Sequence, residues 1–150
     1  MPNFAANLSL LFTELPFLDR FAAARKAGFE AVEFLFPYAL EARQIAAQLD
    51  QHQLQLALFN LPPGDWERGE RGIACDPRRG EEFRTGVALA LEYALALGAT
   101  QLHCMAGIVP AGMSLERARQ SLIGNLQFAA DACRPHGINV LIEPINHYDM

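Results

Sequence analysis

Glu143 closes an apolar run, Val140-Leu141-Ile142, and is followed by Pro144-Ile145-Asn146-His147. A carboxylate at the end of a buried strand is costly unless it is paired or bound to a cation. Such a group suits a general base or a metal ligand; as a structural group it would bridge to an arginine. Glu33, between Val32 and Phe34, poses the same question inside a strand. It would contact substrate, support a neighbouring group, or form a buried pair for which His103 is the candidate partner. His103 and His147 each suit a proton shuttle or a substrate hydrogen bond, and each suits equally a satisfied structural position. Asn60 could donate to a substrate oxygen, although asparagine before Leu61-Pro62-Pro63 is also ordinary turn chemistry. Asp65-Trp66-Glu67-Arg68-Gly69-Glu70-Arg71-Gly72 reads either as a lid over a polar substrate or as a solvated loop. Within it the Arg71 guanidinium could fork onto a carboxylate, and Glu70 beside it joins the substrate-contacting candidates. His52 and His136 fall in polar connections and read as solvated.

These groups need a scaffold that gathers them, and the chain alternates strand and helix patterns. Strands are expected over 4–10, 31–36, 54–59, 101–105 and 138–143. Helices are expected over 16–27, 39–49 and 81–97, with a fourth starting after the N-cap Ser114 and broken by Pro135-His136-Gly137. Their apolar faces are set by Phe17, Phe21 and Ala24, then Ile45, Ala46 and Leu49, then Phe83, Val87, Ala90 and Ala94, then Ala118, Leu122, Leu126, Ala129 and Cys133. Gly28, Gly98 and Gly137 each separate a helix end from an apolar strand, a weak internal repeat. The loop over 60–79 is longer than most connections in a compact domain.

Such alternation predicts parallel strands joined by right-handed crossovers, hence an open doubly wound sheet or a (β/α)8 barrel. The first strand runs into Ser9-Leu10-Leu11-Phe12-Thr13, without the glycine fingerprint of a dinucleotide fold. Polar residues recur at strand ends: Asn7, Glu33, Asn60, His103 and Glu143. A barrel collects those ends around one mouth, so the α/β fold expected is a TIM-type barrel. Five strands and four helices fall short of the roughly 250 residues of a complete barrel. The 150 residues are therefore expected to be the N-terminal portion of one barrel domain.

Composition narrows the chemistry. Net charge is −5 with no basic stripe, which speaks against a nucleic-acid partner. No apolar stretch reaches the roughly 18 residues of a membrane span, and no export signal opens the chain. Cys75, Cys104 and Cys133 are scattered and odd in number, which favours a reducing, cytoplasmic setting over a disulfide framework. Of the 12 basic residues only Lys26 is a lysine, and it lies in a helix tail, so Schiff-base chemistry is disfavoured.

Five segments together carry a resemblance: Phe4-Ala5-Ala6-Asn7-Leu8-Ser9, Val32-Glu33-Phe34-Leu35-Phe36-Pro37-Tyr38, Asn60-Leu61-Pro62-Pro63-Gly64-Asp65-Trp66, Gly69-Glu70-Arg71-Gly72-Ile73-Ala74-Cys75 and Ile142-Glu143-Pro144-Ile145-Asn146. In register over the whole chain, they resemble the hydroxypyruvate isomerase family of xylose-isomerase-like barrels, which includes the 2-oxo-tetronate isomerases. The Glu-Pro-Ile-Asn and Gly-Glu-Arg-Gly segments lean toward hydroxypyruvate isomerase. The resemblance implies interconversion of hydroxypyruvate and 2-hydroxy-3-oxopropanoate through an enediolate. It implies a magnesium or manganese ion, and it makes the residue matching Glu143 both acid/base group and metal ligand. A second catalytic glutamate and the remaining ligands would lie beyond Met150. Asn7, Glu33, Asn60, Glu70, Arg71 and His103 are the expected substrate contacts, the substrate being a small hydroxy-oxo acid, and the protein is expected to form homo-oligomers. A 2-oxo-tetronate isomerase, a sugar epimerase of the same superfamily and a non-catalytic partial barrel that associates remain alternatives; a zinc endonuclease for damaged DNA is opposed by the acidic balance.

Overall fold

Five short strands pair side by side in their chain order, every neighbour parallel. They are β1 (Ala5–Asn7), β2 (Ala31–Phe34), β3 (Gln55–Asn60), β4 (Gln101–His103) and β5 (Asn139–Leu141). Four helices connect them: α1 (Arg20–Lys26), α2 (Ala42–His52), α3 (Gly80–Leu97) and α4 (Leu115–Cys133). The structure is a computed structural model and describes residues 3–145.

The strand order separates the two candidate architectures. A doubly wound sheet reverses direction after its first strands and puts helices on both faces. Here β1 to β5 run in unbroken sequence, and α1 packs on α2, α2 on α3 and α3 on α4. All the helices therefore lie along one face, as in the wall of a barrel. The opposite face of the sheet is the barrel interior.

Strand alternation sends side chains to the two faces in turn. Ala6, Val32, Phe34, Phe59 and Leu102 point at the helices and are fully buried. They meet Phe21, Ile45, Val87, Ala90 and Ala129 from the expected helix faces. A chain of aromatic contacts ties this layer together. Phe17 packs edge-on against Phe21 and Phe34, Phe34 stacks on Phe59 at 6.0 Å, and Phe59 leads through Tyr38 to Tyr93. Burying one such ring contributes roughly 1.5–3 kcal/mol.

The expected elements all form, with displaced ends. The second helix starts at Ala42 rather than near Ala39, because 38–40 is held elsewhere. The Tyr38 hydroxyl donates to the Asn60 carbonyl at 2.6 Å, the Tyr93 hydroxyl donates to the Leu40 carbonyl at 2.7 Å, and Leu40 N–H closes a turn on Pro37. Burial, then the neighbouring Tyr93, pushes the Tyr38 phenol well above its ordinary range, so it stays a donor. Ser114 caps α4 as expected, accepting from Arg117 N–H at 3.3 Å. On the side where the connections carry polar groups, β1, β2, β4 and β5 end sooner than expected, whereas β3 runs one residue further, to Asn60.

Candidate active site

A cavity of about 390 Å³ opens at the C-terminal ends of the strands. It brings together Asn7 at the end of β1, Glu33 in β2, Asn60 at the end of β3, His103 at the end of β4, and Glu143 two residues beyond β5. Leu58, Met105 and Leu141 supply apolar lining. Parallel register explains two contacts directly. Asn7 stands beside Glu33, and its amide donates to the Glu33 carboxylate at 2.9 Å. Asn60 stands beside His103, with its Oδ1 3.2 Å from the ring Nδ1. The expected partnership of Glu33 with His103 is thus replaced by two cross-strand pairs, each between adjacent strands.

Asn60 reaches the interior only because β3 carries one extra residue. Val32 pairs with Leu56, but Phe34 pairs with Phe59, so two residues of β2 span three of β3. Such a bulge reverses the facing of everything after it. Leu56 and Phe59 both face the helices, and Leu58 and Asn60 both line the cavity. Unbroken alternation from Leu56 would have turned Asn60 toward the helices.

His103 is 8% exposed. Burial pushes its pKa below the ordinary histidine value, while the charges of Glu143 and Glu33 act in the opposite direction. The ring is therefore neutral at neutral pH. With the Asn60 oxygen facing it, Nδ1 carries the proton and donates, which leaves Nε2 as a proton acceptor.

Glu143 differs from expectation in its surroundings. Its strand is the outermost of the described sheet, and the residue is exposed rather than buried at a strand end. Among the described residues it makes no hydrogen bond or ion pair. Leu141 and Ile142 both line the cavity, because regular strand geometry stops at Leu141. His147 lies outside the described residues, as does Asn146.

Glu70 and Arg71 stand apart from this cavity, in the wall of a second one of about 320 Å³ between the β3–α3 and β4–α4 connections. The Glu70 carboxylate is held by Arg79 at 2.5 Å and accepts the Asp65 backbone N–H. The Arg79 hydrogen bond, followed by that from Asp65, holds its pKa below the usual carboxylate range. Arg71 stacks over Trp66 at 3.9 Å, and Trp66 meets Phe36 edge-on at 5.0 Å. The connection is anchored on both sides of the 65–72 segment, within which Asp65, Glu67, Arg68 and Gly69 are exposed. Leu61, Pro63, Ile73, Ala74 and Cys75 are buried, and Ala74 carbonyl accepts from Asn125 at 2.8 Å and Ser121 at 3.2 Å. Asn125 is a buried anchor that the apolar spacing of α4 did not reveal; its sole signal was a polar residue set between Leu122 and Leu126.

The fit to a divalent cation is incomplete. Glu143 offers an unengaged carboxylate, but among the described residues no group of three or more His, Cys, Asp or Glu side chains stands close enough to hold a metal. Magnesium takes near-octahedral oxygen ligation. These residues by themselves do not supply it.

Residues 21–150 match the family described as xylose isomerase-like TIM barrel. Over 150 residues the chain is 53% identical to the 2-oxo-tetronate isomerase of Cupriavidus necator and 49% identical to the hydroxypyruvate isomerase of Escherichia coli. Each match covers 100% of this chain and 58% of the relative. A crystal structure described as AP endonuclease, family 2, from Brucella melitensis is 53% identical and aligns with a TM-score of 0.97, again over 100% of this chain and 58% of that one. The chain thus spans 58% of the length of these relatives. The lean toward hydroxypyruvate drawn from two short segments gains nothing from these identities.

Proposed function

Since the chain belongs to the xylose isomerase-like TIM barrel family, we propose that its strand ends form one side of an active site that isomerises a small hydroxy-oxo acid by a 1,2-proton shift. The observation that carries this reading is the cavity where Glu143 faces the Asn60–His103 and Asn7–Glu33 pairs. The isomerase names of two curated relatives that match over this whole chain support it.

With hydroxypyruvate as substrate, Glu143 removes a proton from C3. The electron pair forms the C2–C3 double bond, and charge passes to the C2 oxygen as an enediolate. Return of a proton to C2, with transfer of the C3 hydroxyl proton to the C2 oxygen, gives 2-hydroxy-3-oxopropanoate. His103 Nε2 is suited to hold the C3 hydroxyl proton, because Nδ1 is engaged by Asn60. The Asn60 amide nitrogen remains available to donate to the C2 oxygen, where hydrogen bonds strengthen as charge develops. Asn7 orients the Glu33 carboxylate, which contacts a substrate hydroxyl. A magnesium or manganese ion with Glu143 as one ligand is part of the proposal; its other donors lie outside the described residues, and no step above depends on it.

A four-carbon substrate, 2-oxo-tetronate, is the second reading, favoured by the 2-oxo-tetronate isomerase of Cupriavidus necator among the relatives. It uses the same proton shift with one more carbon. The nuclease description of the Brucella melitensis protein is not carried over, since a polyanionic substrate is opposed by a net charge of −5 without a basic stripe. The test is proton exchange. In D2O the protein should exchange the C3 proton of hydroxypyruvate, followed by NMR, and Glu143→Gln should abolish that exchange while the fold persists. A preference for 2-oxo-tetronate in the same assay selects the longer acid; exchange with neither rejects both.

A further inference from the structure

The second cavity contains a cation whose binding geometry is prepared but not used. Four arginines line it: Arg68, Arg71, Arg78 and Arg79. Three are in ion pairs. Arg68 meets Asp65 at 3.3 Å, Arg78 meets Asp76 at 2.7 Å, and Arg79 meets Glu70 at 2.5 Å and Glu82 at 2.6 Å. Arg71 has no carboxylate partner among the described residues. Its adjacent acid, Glu70, is already committed to Arg79 and the Asp65 N–H.

Arg71 is nevertheless fixed in place. Its Nη1 donates to the Trp66 carbonyl at 3.3 Å and to the Glu70 carbonyl at 2.9 Å, and its plane lies over the Trp66 ring. Nε and Nη2 donate to nothing among the described residues. Those two N–H groups form the side-on fork that matches both oxygens of a carboxylate. The side chain is half-buried, so much of the entropy of ordering it is already lost before a ligand arrives. Across the cavity, Ile108, Val109 and Pro110 present an apolar wall suited to a short carbon skeleton.

We propose that Arg71 is the docking group for the carboxylate of a small organic acid. The carboxylate comes from one of two sources, the isomerase substrate itself or a separate acid held beside the active site. Arg71 is linked to the main cavity on both sides. Trp66 packs on Phe36, next to the lining residue Leu35, and Gly72 lies against Met105 of the lining.

Trp66 is the single tryptophan of the chain, so its fluorescence reports on Arg71 without a label and without turnover. Titration with glycerate should change Trp66 emission saturably, while neutral glycerol should not. Arg71→Met should weaken glycerate binding by about tenfold or more, the factor expected for loss of a charge-assisted fork. Arg71→Lys retains the charge without the fork and should recover only part of the affinity. Circular dichroism melts of both variants establish that they fold. A non-saturating response, an equal response to glycerol, or an Arg71→Met response matching the parent overturns the proposal. The source is read from kinetics, and this arm alone rests on the isomerase reading. If the carboxylate is the substrate's, Arg71→Lys raises KM for hydroxypyruvate with kcat little changed; if it belongs to a separate acid, KM stays at the parent value while the titration still weakens. Loss of proton exchange in Glu143→Gln leaves the Trp66 titration intact, so the two proposals fail separately.

Discussion

At the scale of single residues, His103 is where opposing influences meet. Burial disfavours its charged form, and the anions Glu143 and Glu33 favour it; burial prevails. An NMR titration should place the His103 midpoint below the ordinary histidine value. Glu143→Gln removes one of the two anions and should move the midpoint lower still; an unchanged midpoint would show that Glu143 does not act on the ring. A depressed histidine contributes stability that is present above its unfolded pKa and lost as pH falls through the folded one. The sequence offered Asn7, Glu33, Asn60, His103 and Glu143 as polar residues at strand ends, and all five line one cavity. It did not offer their pairing, because pairing depends on register between strands far apart in the chain. The three thiols are hidden: burial raises Cys75 and Cys133 and pushes Cys104 up to about 12.

At the scale of elements, two irregularities place the site. One is the β3 bulge that turns Asn60 inward. The run Leu54-Gln55-Leu56-Ala57-Leu58-Phe59 alternates too weakly to reveal an inserted residue, so only the paired structure exposes it. The other is the contact between the β3–α3 and β4–α4 connections. Gly72 and Gly107 both adopt positive φ, 108° and 95°, and a Cβ on Gly72 would overlap the Met105 carbonyl. Cys75 N–H donates to the Ala106 carbonyl at 2.8 Å, locking the two segments together. Gly72→Ala must both strain the backbone, at about 1–3 kcal/mol, and separate that contact. Gly112→Ala, at φ 75° with open space around it, bears only the backbone term. Chemical denaturation should therefore show a larger loss for Gly72→Ala than for Gly112→Ala; equal losses would mean that the loops do not pack this closely. Helix positions and faces were legible because they rest on local periodicity. The start of α2 was not, since residues 38–40 are held by partners distant in sequence, Asn60 for Tyr38 and Tyr93 for Leu40.

At the scale of the molecule, strand order and helix side identify the barrel wall, and the alternation of elements already implied it. The long β3–α3 connection adds a pH dependence. Arg79 holds Glu70, and Arg78 holds Asp76, both below the usual carboxylate range. The unfolded chain takes up protons on these groups sooner than the folded one does. Their stabilisation is complete above the unfolded carboxylate value of roughly 4 and is lost as pH falls through the folded values. Acid unfolding followed by circular dichroism should be less steep for Glu70→Gln than for the parent; identical acid profiles would remove Glu70 from this account. The central claim, that the cavity at the strand ends performs a carboxylate-driven proton shift, is tested most directly by proton exchange in D2O. The parent should exchange the C3 proton of hydroxypyruvate or the corresponding proton of 2-oxo-tetronate, and folded Glu143→Gln should exchange neither. Exchange by Glu143→Gln within a few-fold of the parent would contradict the claim.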